Sequence, residues 1–194
     1  MKKLLFVCVA LTASLLFTKN ASAQTKIGYF DEQMTLSFFP GINKIDTLIS
    51  VYQNDSLGVE YTYRVSEFQR ADSIFKKDSA SMPIKARELA MRDLNQKKYT
   101  LINWQQYYQQ MSEAKLEQML APYKQRMFEA LKTILAEQRY TLVLNSSALS
   151  PYAQPPLLDN LSIRVAQKLK LPLPKEIDDA WKAATGGGTA APKK

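Results

Sequence analysis

Apolar residues recur at spacings of three and four along most of this chain, and a single proline divides the pattern. Pro83 is the only proline between Gly41 and Ala121, with 42 proline-free residues before it and 38 after it. No glycine falls between Val59 and Thr185. Long stretches without either residue are what helices require. In the first window Ile42, Ile45, Ile49 and Tyr52 keep helical spacing, the phase slips around Asn54 to Gly58, and the stripe resumes at Tyr61, Val65, Phe68, Ala71 and Phe75. In the second, Leu101, Trp104, Tyr108 and Met111 continue it, followed by Leu120, Tyr123, Met127, Leu131 and Ile134. Mixed three-four spacing of this length predicts coiled-coil-like packing with an imperfect register.

Two such helices joined by a short polar segment make an antiparallel hairpin. Pro83 suits the first turn of the returning helix, where its missing N–H costs nothing. The hairpin is therefore expected over 41–139, with its tip near 79–83. A helix of about 38 residues is roughly 57 Å long, far more than a compact domain of this size needs, so it should stand out as an arm. "KIGYFD", 26–31, and "YTLVLN", 140–145, read as short strands that meet at the arm's base. Ile27 and Tyr29 in the first, and Leu142 and Leu144 in the second, are its association candidates. Isolated strand pairs are marginal in water, so a sheet completed by other copies of the chain predicts a homo-oligomer. A further short strand is expected near 148–152. "LLDNLSIRVAQKLK", 157–170, reads as an amphipathic helix with Asn160 as its cap. Residues 24–40 and 140–170 thus form a β-containing association body, and 171–194, ending "TGGGTAAPKK", a flexible tail in which "KEIDDAWKAA" can form a helical turn or two. The fold class is mainly α with a small β body.

The amino terminus changes the setting. Lys2 and Lys3, the apolar run Leu4–Phe17 and the small residues Ala21-Ser22-Ala23 read as a secretory signal peptide, 1–23, cleaved after Ala23. Its loss removes Cys8, and because the chain has no histidine, thiolate and imidazole chemistry go with it. The exported chain has 23 basic residues against 18 acidic ones. Outside the inner membrane, such a charge points to anionic lipid or acidic protein segments and not to nucleic acid. Seven basic and three acidic residues lie between Lys76 and Lys98, which makes the tip basic, with Lys76, Lys77, Lys85 and Arg87 at its centre. There is no metal-ligand spacing, and "TGGGT" lacks the strand–helix context of a phosphate loop, so no cofactor, metal or catalytic residue is assigned. The chain does not read as an enzyme.

The order of these segments resembles a known family, the periplasmic chaperones called Skp or OmpH. The resemblance rests on "KIGYFD" directly after the signal peptide, "MTLSFFP", the long charged hairpin, and "LAPYKQRMFEALKTILAEQRYTLVLNSSAL" returning to the body. Arg139 departs from it, standing where a glycine often precedes the closing strand. The resemblance implies a homotrimer whose arms surround a cavity, holding unfolded outer-membrane proteins in the periplasm without ATP. On that reading the arm aromatics Tyr61, Tyr63, Phe68, Phe75, Trp104, Tyr107 and Tyr108 are the leading candidates for client contact, with Tyr99, Met91 and Met111 on the same arms, since aromatic and methionine side chains adapt to varied partners. Tyr61 and Tyr63 lie about 200° apart on a helix, and Tyr107 and Tyr108 are adjacent, so one of each pair is expected to face away from the seam. Gly58, inside the phase slip, is a candidate hinge. The alternative is a tethering protein of the cell envelope whose basic tip touches anionic lipid surfaces.

Overall fold

The computed structural model describes residues 25–150 and 155–186; the expected signal peptide and its cleavage site lie outside them. The described residues are mostly helical, with one two-stranded sheet among them. Strand β1, Ile27–Phe30, runs into Asp31, which caps helix α1, Glu32–Ser37. One Asp31 carboxylate oxygen accepts the Met34 N–H at 2.8 Å and the other accepts the Ser146 hydroxyl at 2.8 Å. These bonds, the Met34 one first, hold the Asp31 carboxyl below the usual carboxylate range.

After a turn at Gly41, helix α2, Lys44–Val51, leads without interruption into a π-helix, Tyr52–Gly58, and then α3, Val59–Asp78. The π-helix coincides with the phase slip in the apolar stripe. A π turn takes in extra residues, so it rotates the following stripe back toward the same partner. Leu57 is buried there while Asn54, Asp55 and Ser56 stay in solvent. Ser79–Pro83 turns the chain into α4, Ile84–Ile102, with Pro83 immediately before its first residue. Asn103 separates α4 from α5, Trp104–Gln138. The returning helix is thus two helices and not one.

α5 ends at Arg139, which adopts the left-handed conformation with φ 55°. That backbone state is open to glycine and strained for other residues. Strand β2, Leu142–Asn145, then pairs in parallel with β1, Ile27 opposite Leu142 and Tyr29 opposite Leu144. Parallel pairing needs a long crossover, and the whole out-and-back excursion of helices supplies it. The core lies where the last turns of α5 meet the sheet and α6, Leu161–Lys168: Phe30, Phe39, Met127, Leu131, Ile134, Tyr140, Leu161 and Val165.

Three expectations change here. Ser146–Ala148 forms a 3-10 turn where part of a further strand was expected, while 151–154 lie outside the described residues. The helix expected from Leu157 begins at Leu161, because Leu157–Asp159 is a 3-10 turn and Asn160 accepts the N–H groups of Ser162 and Ile163 as the cap. Within the tail expected over 171–194, the turn or two allowed for "KEIDDAWKAA" is a ten-residue helix α7, Lys175–Ala184, whose Trp181 is only 5% exposed, while 187–194 lie outside the described residues. Burying an indole offsets the ordering cost that composition alone predicts will win.

Candidate functional site

Two surfaces gather the residues singled out in the sequence: the helical pair and the outer face of the sheet. α3 and α4 pack along one another, yet neither buries a single residue. Two helices alone leave each seam residue open on its flanks, and the third layer that would bury it is absent from the described residues. Phe68 and Phe75 line this seam half-buried. Two clefts open along it. The one nearer the tip, about 260 Å³, is floored by Ala71, Ile74, Phe75, Met82 and Ala90. The other, about 510 Å³, has Glu60, Arg64 and Glu67 on one wall and Asp93, Gln96 and Lys97 on the other. Its charges are largely paired within each helix, Arg64 with Glu60 and Lys97 with Asp93 at 3.4 Å.

Beside the Asn103 break the aromatic candidates converge on each other. The rings of Tyr61 and Trp104 lie 5.3 Å apart, and those of Trp104 and Tyr107 5.2 Å apart. The Arg64 guanidinium stands 5.8 Å from both the Trp104 and the Tyr107 ring, and the Tyr107 hydroxyl is 3.4 Å from each Glu60 carboxylate oxygen. Burial, then the Glu60 charge, pushes the Tyr107 phenol up from its ordinary pKa. Aromatic pairs of this kind contribute about 0.5–1.5 kcal/mol each beyond their buried area, so the cluster clamps the start of α3 to the start of α5. Tyr63 points away from it and is 63% exposed. Tyr108 is half-buried, as is Tyr107.

Of the exposed apolar side chains of α4, sequence reasoning named Met91 and Tyr99 but not Ile84, Leu89 or Ile102. Ile84, Met91, Tyr99 and Ile102 lie on one side of that helix, with Tyr99 and Ile102 each 69% exposed. Their spacings of seven, eight and three are present in the sequence, and Ile84 and Ile102 fall outside the aromatic and methionine types that the reading followed. At the tip, Lys77, Lys85 and Arg87 are exposed, Lys76 pairs with Asp72 at 2.6 Å, and the apolar Ile84 and Leu89 stand exposed among them. Gly58 has ordinary right-handed helical angles at the end of the π-helix, and a Cβ placed on it would meet only the Gln53 carbonyl oxygen at 3.5 Å.

On the sheet, the register puts Ile27, Tyr29, Leu142 and Leu144 on one face. The opposite face, with Gly28, Phe30 and Val143, carries the core. Ile27 is 38% and Leu142 46% exposed, so this outer face is apolar and only partly covered by the described residues. No group of three potential metal ligands occurs among the described residues.

This plan, a small parallel strand pair carrying a long helical excursion, has a family counterpart. No curated protein matches the chain in sequence. Residues 26–169, from the start of β1 to just past α6, match the model of the family described as outer membrane protein (OmpH-like). The match covers most of the chain and stops short of α7. The chain belongs to the OmpH-like outer membrane protein family.

Proposed function

We propose that the protein is an ATP-independent holdase of the periplasm, which keeps unfolded outer-membrane proteins from aggregating by holding them between helical arms of a homotrimer. Membership of the OmpH-like family points to a chaperone of outer-membrane proteins. The observation that carries the finer reading is the uncovered apolar surface of the helical pair: Tyr63 on α3 and Ile84, Met91, Tyr99 and Ile102 on α4, set among charged residues. A surface that touches many sequences weakly needs scattered, adaptable apolar contacts, and charge keeps the loaded complex soluble. The outer sheet face of Ile27, Tyr29, Leu142 and Leu144 supports association of copies, because a parallel strand pair is too small to stand alone.

The test is mass by light scattering, before and after dilution of a urea-unfolded β-barrel protein into the assembly. A trimer that takes up the barrel and keeps it in solution supports the reading; a precipitating barrel overturns it. Serine at Tyr63, Tyr99 and Ile102 together should weaken uptake without changing the assembly mass. Among the aromatics singled out in the sequence, Tyr61, Trp104 and Tyr107 should act mainly through arm stability.

A second reading, a tether that touches anionic lipid, is favoured by the exposed Ile84 and Leu89 beside Lys77, Lys85 and Arg87. Apolar side chains flanked by cations suit a membrane interface. Vesicles rich in anionic lipid should then bind the chain in a salt-sensitive way, and glutamine at Lys76, Lys77, Lys85 and Arg87 should abolish binding.

A further inference from the structure

The two edges of the sheet are treated differently. Among the described residues, β2 pairs only with β1, so its second edge is open. The outer edge of β1 is covered by the strip Leu157–Asn160, with Tyr29 bridged in parallel to Asn160. That strip is pinned from two sides. The Tyr140 hydroxyl donates to the Asp159 carboxylate at 2.8 Å, and Arg164 Nε donates to the Leu158 carbonyl at 2.7 Å. Arg164 is itself roofed by Trp181 of α7, its guanidinium 5.3 Å from the indole ring, and α7 packs on the strip. α7 lies beyond the segment that matches the family.

We propose that α7 is a strap. It keeps the Leu157–Asn160 strip closed over β1 and so prevents the open β2 edge of a second copy from adding there. A sheet with one open edge of each kind is a head-to-tail adhesive. β2 of one chain would pair with β1 of the next, and such contacts need not close. Covering one of the two edges stops the addition, and it is done within the chain, by a helix whose one buried residue is Trp181. The leash is short: Leu171 packs against the core, and Pro172 and Pro174 stiffen the link to α7.

The experiment compares the full-length exported chain with Trp181→Ala, with Trp181→Phe and with a chain ending at Leu171. Mass is followed by light scattering over a range of concentrations, and hydrogen exchange is read across Ile27–Asp31. The alanine variant and the shortened chain should exchange about tenfold faster at the outer β1 edge and grow beyond the wild-type mass as concentration rises. Phenylalanine, which restores a ring beside Arg164, should return both readings to wild type. Wild-type mass at the highest concentration in the alanine variant overturns the proposal, whether or not the edge has opened. Equal loss of exchange protection in α5, around Met127–Ile134, also overturns it, since α7 would then hold the whole body and not one edge.

Discussion

Gly28→Ala is the sharpest test of how β1 meets the core. A Cβ at this position would lie 2.7 Å from Leu161 Cδ1, 2.8 Å from Leu161 Cγ and 3.1 Å from Tyr140 Cδ1. Carbon atoms sit comfortably at about 3.5–4.0 Å, so Leu161 must retreat by roughly 1 Å. Because Cγ is involved, the whole side chain must shift, and turning a terminal methyl aside is not enough. Leu161 is fully buried in the cluster that contains Phe30, Met127 and Val165, where no free space waits. Overpacking of this kind costs about 1–3 kcal/mol, and alanine recovers about 0.5–1 kcal/mol through the less flexible unfolded chain. The net loss should lie between about zero and about 2.5 kcal/mol, or at most roughly 5–10 °C in Tm for a chain of this size.

The assay is denaturant unfolding followed by circular dichroism, at one fixed protein concentration because association raises apparent stability. A double-mutant cycle identifies the cause. Leu161→Ala alone should cost about 2–5 kcal/mol, and in that background Gly28→Ala should cost nothing or become stabilising as the new methyl enters the vacated space. Coupling of at least about 1 kcal/mol is expected. Equal cost of Gly28→Ala in the two backgrounds would refute the reasoning.

Arg139→Gly should stabilise the fold by about 0.5–1 kcal/mol, because the left-handed φ of 55° strains an arginine and not a glycine; a denaturant midpoint that falls would contradict this. Gly58→Ala should raise stability by a similar amount, about 0.5–1 kcal/mol, since its Cβ meets no hard contact; if Gly58 is a hinge, solution scattering of the variant will show a narrower spread of shapes, and an unchanged spread rejects the hinge. The Tyr140 phenol is pushed up to about 12 by burial and by its hydrogen bond to Asp159. The folded chain keeps a proton that the unfolded chain releases, so stability falls as pH rises from 10 towards 12, by about 2–3 kcal/mol from this group. Tyr140→Phe should flatten that decline, and parallel wild-type and variant curves over this window would show that Tyr140 does not cause it.

The helical excursion was legible because its seam must keep one side toward a partner, so the slip at Asn54–Gly58 left a mark in the apolar spacing and the π-helix sits there. Asn103 left none. The stripe Leu101, Trp104, Tyr108 runs straight across it, since angles of φ −91° and ψ 10° break the helix without much rotating the turns beyond it. The strands were legible as strands, but the alternation of Ile27 with Tyr29 marks the face turned away from the core. Gly28 hid the inner face, because there Leu161 occupies the space a side chain would take. α7 was legible only as a helical turn or two, because its packing rests on Arg164 and the Leu157–Asp159 turn, contacts that local composition does not contain. Arg64 likewise gave no sign that it would stand over Trp104 and Tyr107, forty and more positions away.

The tip half of the helical pair owes its character to geometry more than to any single residue. With two helices and no third layer among the described residues, each shields only the stripe that meets its neighbour, and apolar side chains elsewhere on it remain in solvent. Such a segment opens at lower free energy than the body, whose α5, α6 and sheet share one buried cluster. Its cohesion rests on half-buried residues such as Phe68 and Phe75 and on the Tyr61–Trp104–Tyr107 cluster at its root. Stability of the pair rests on the seam residues, and the surface proposed for clients is the apolar remainder left uncovered. A third helix that buried Tyr99 and Ile102 would make the arm firmer and leave it less with which to hold an unfolded chain. The sparse packing of α3 on α4 is, for that reason, a condition of the proposed function.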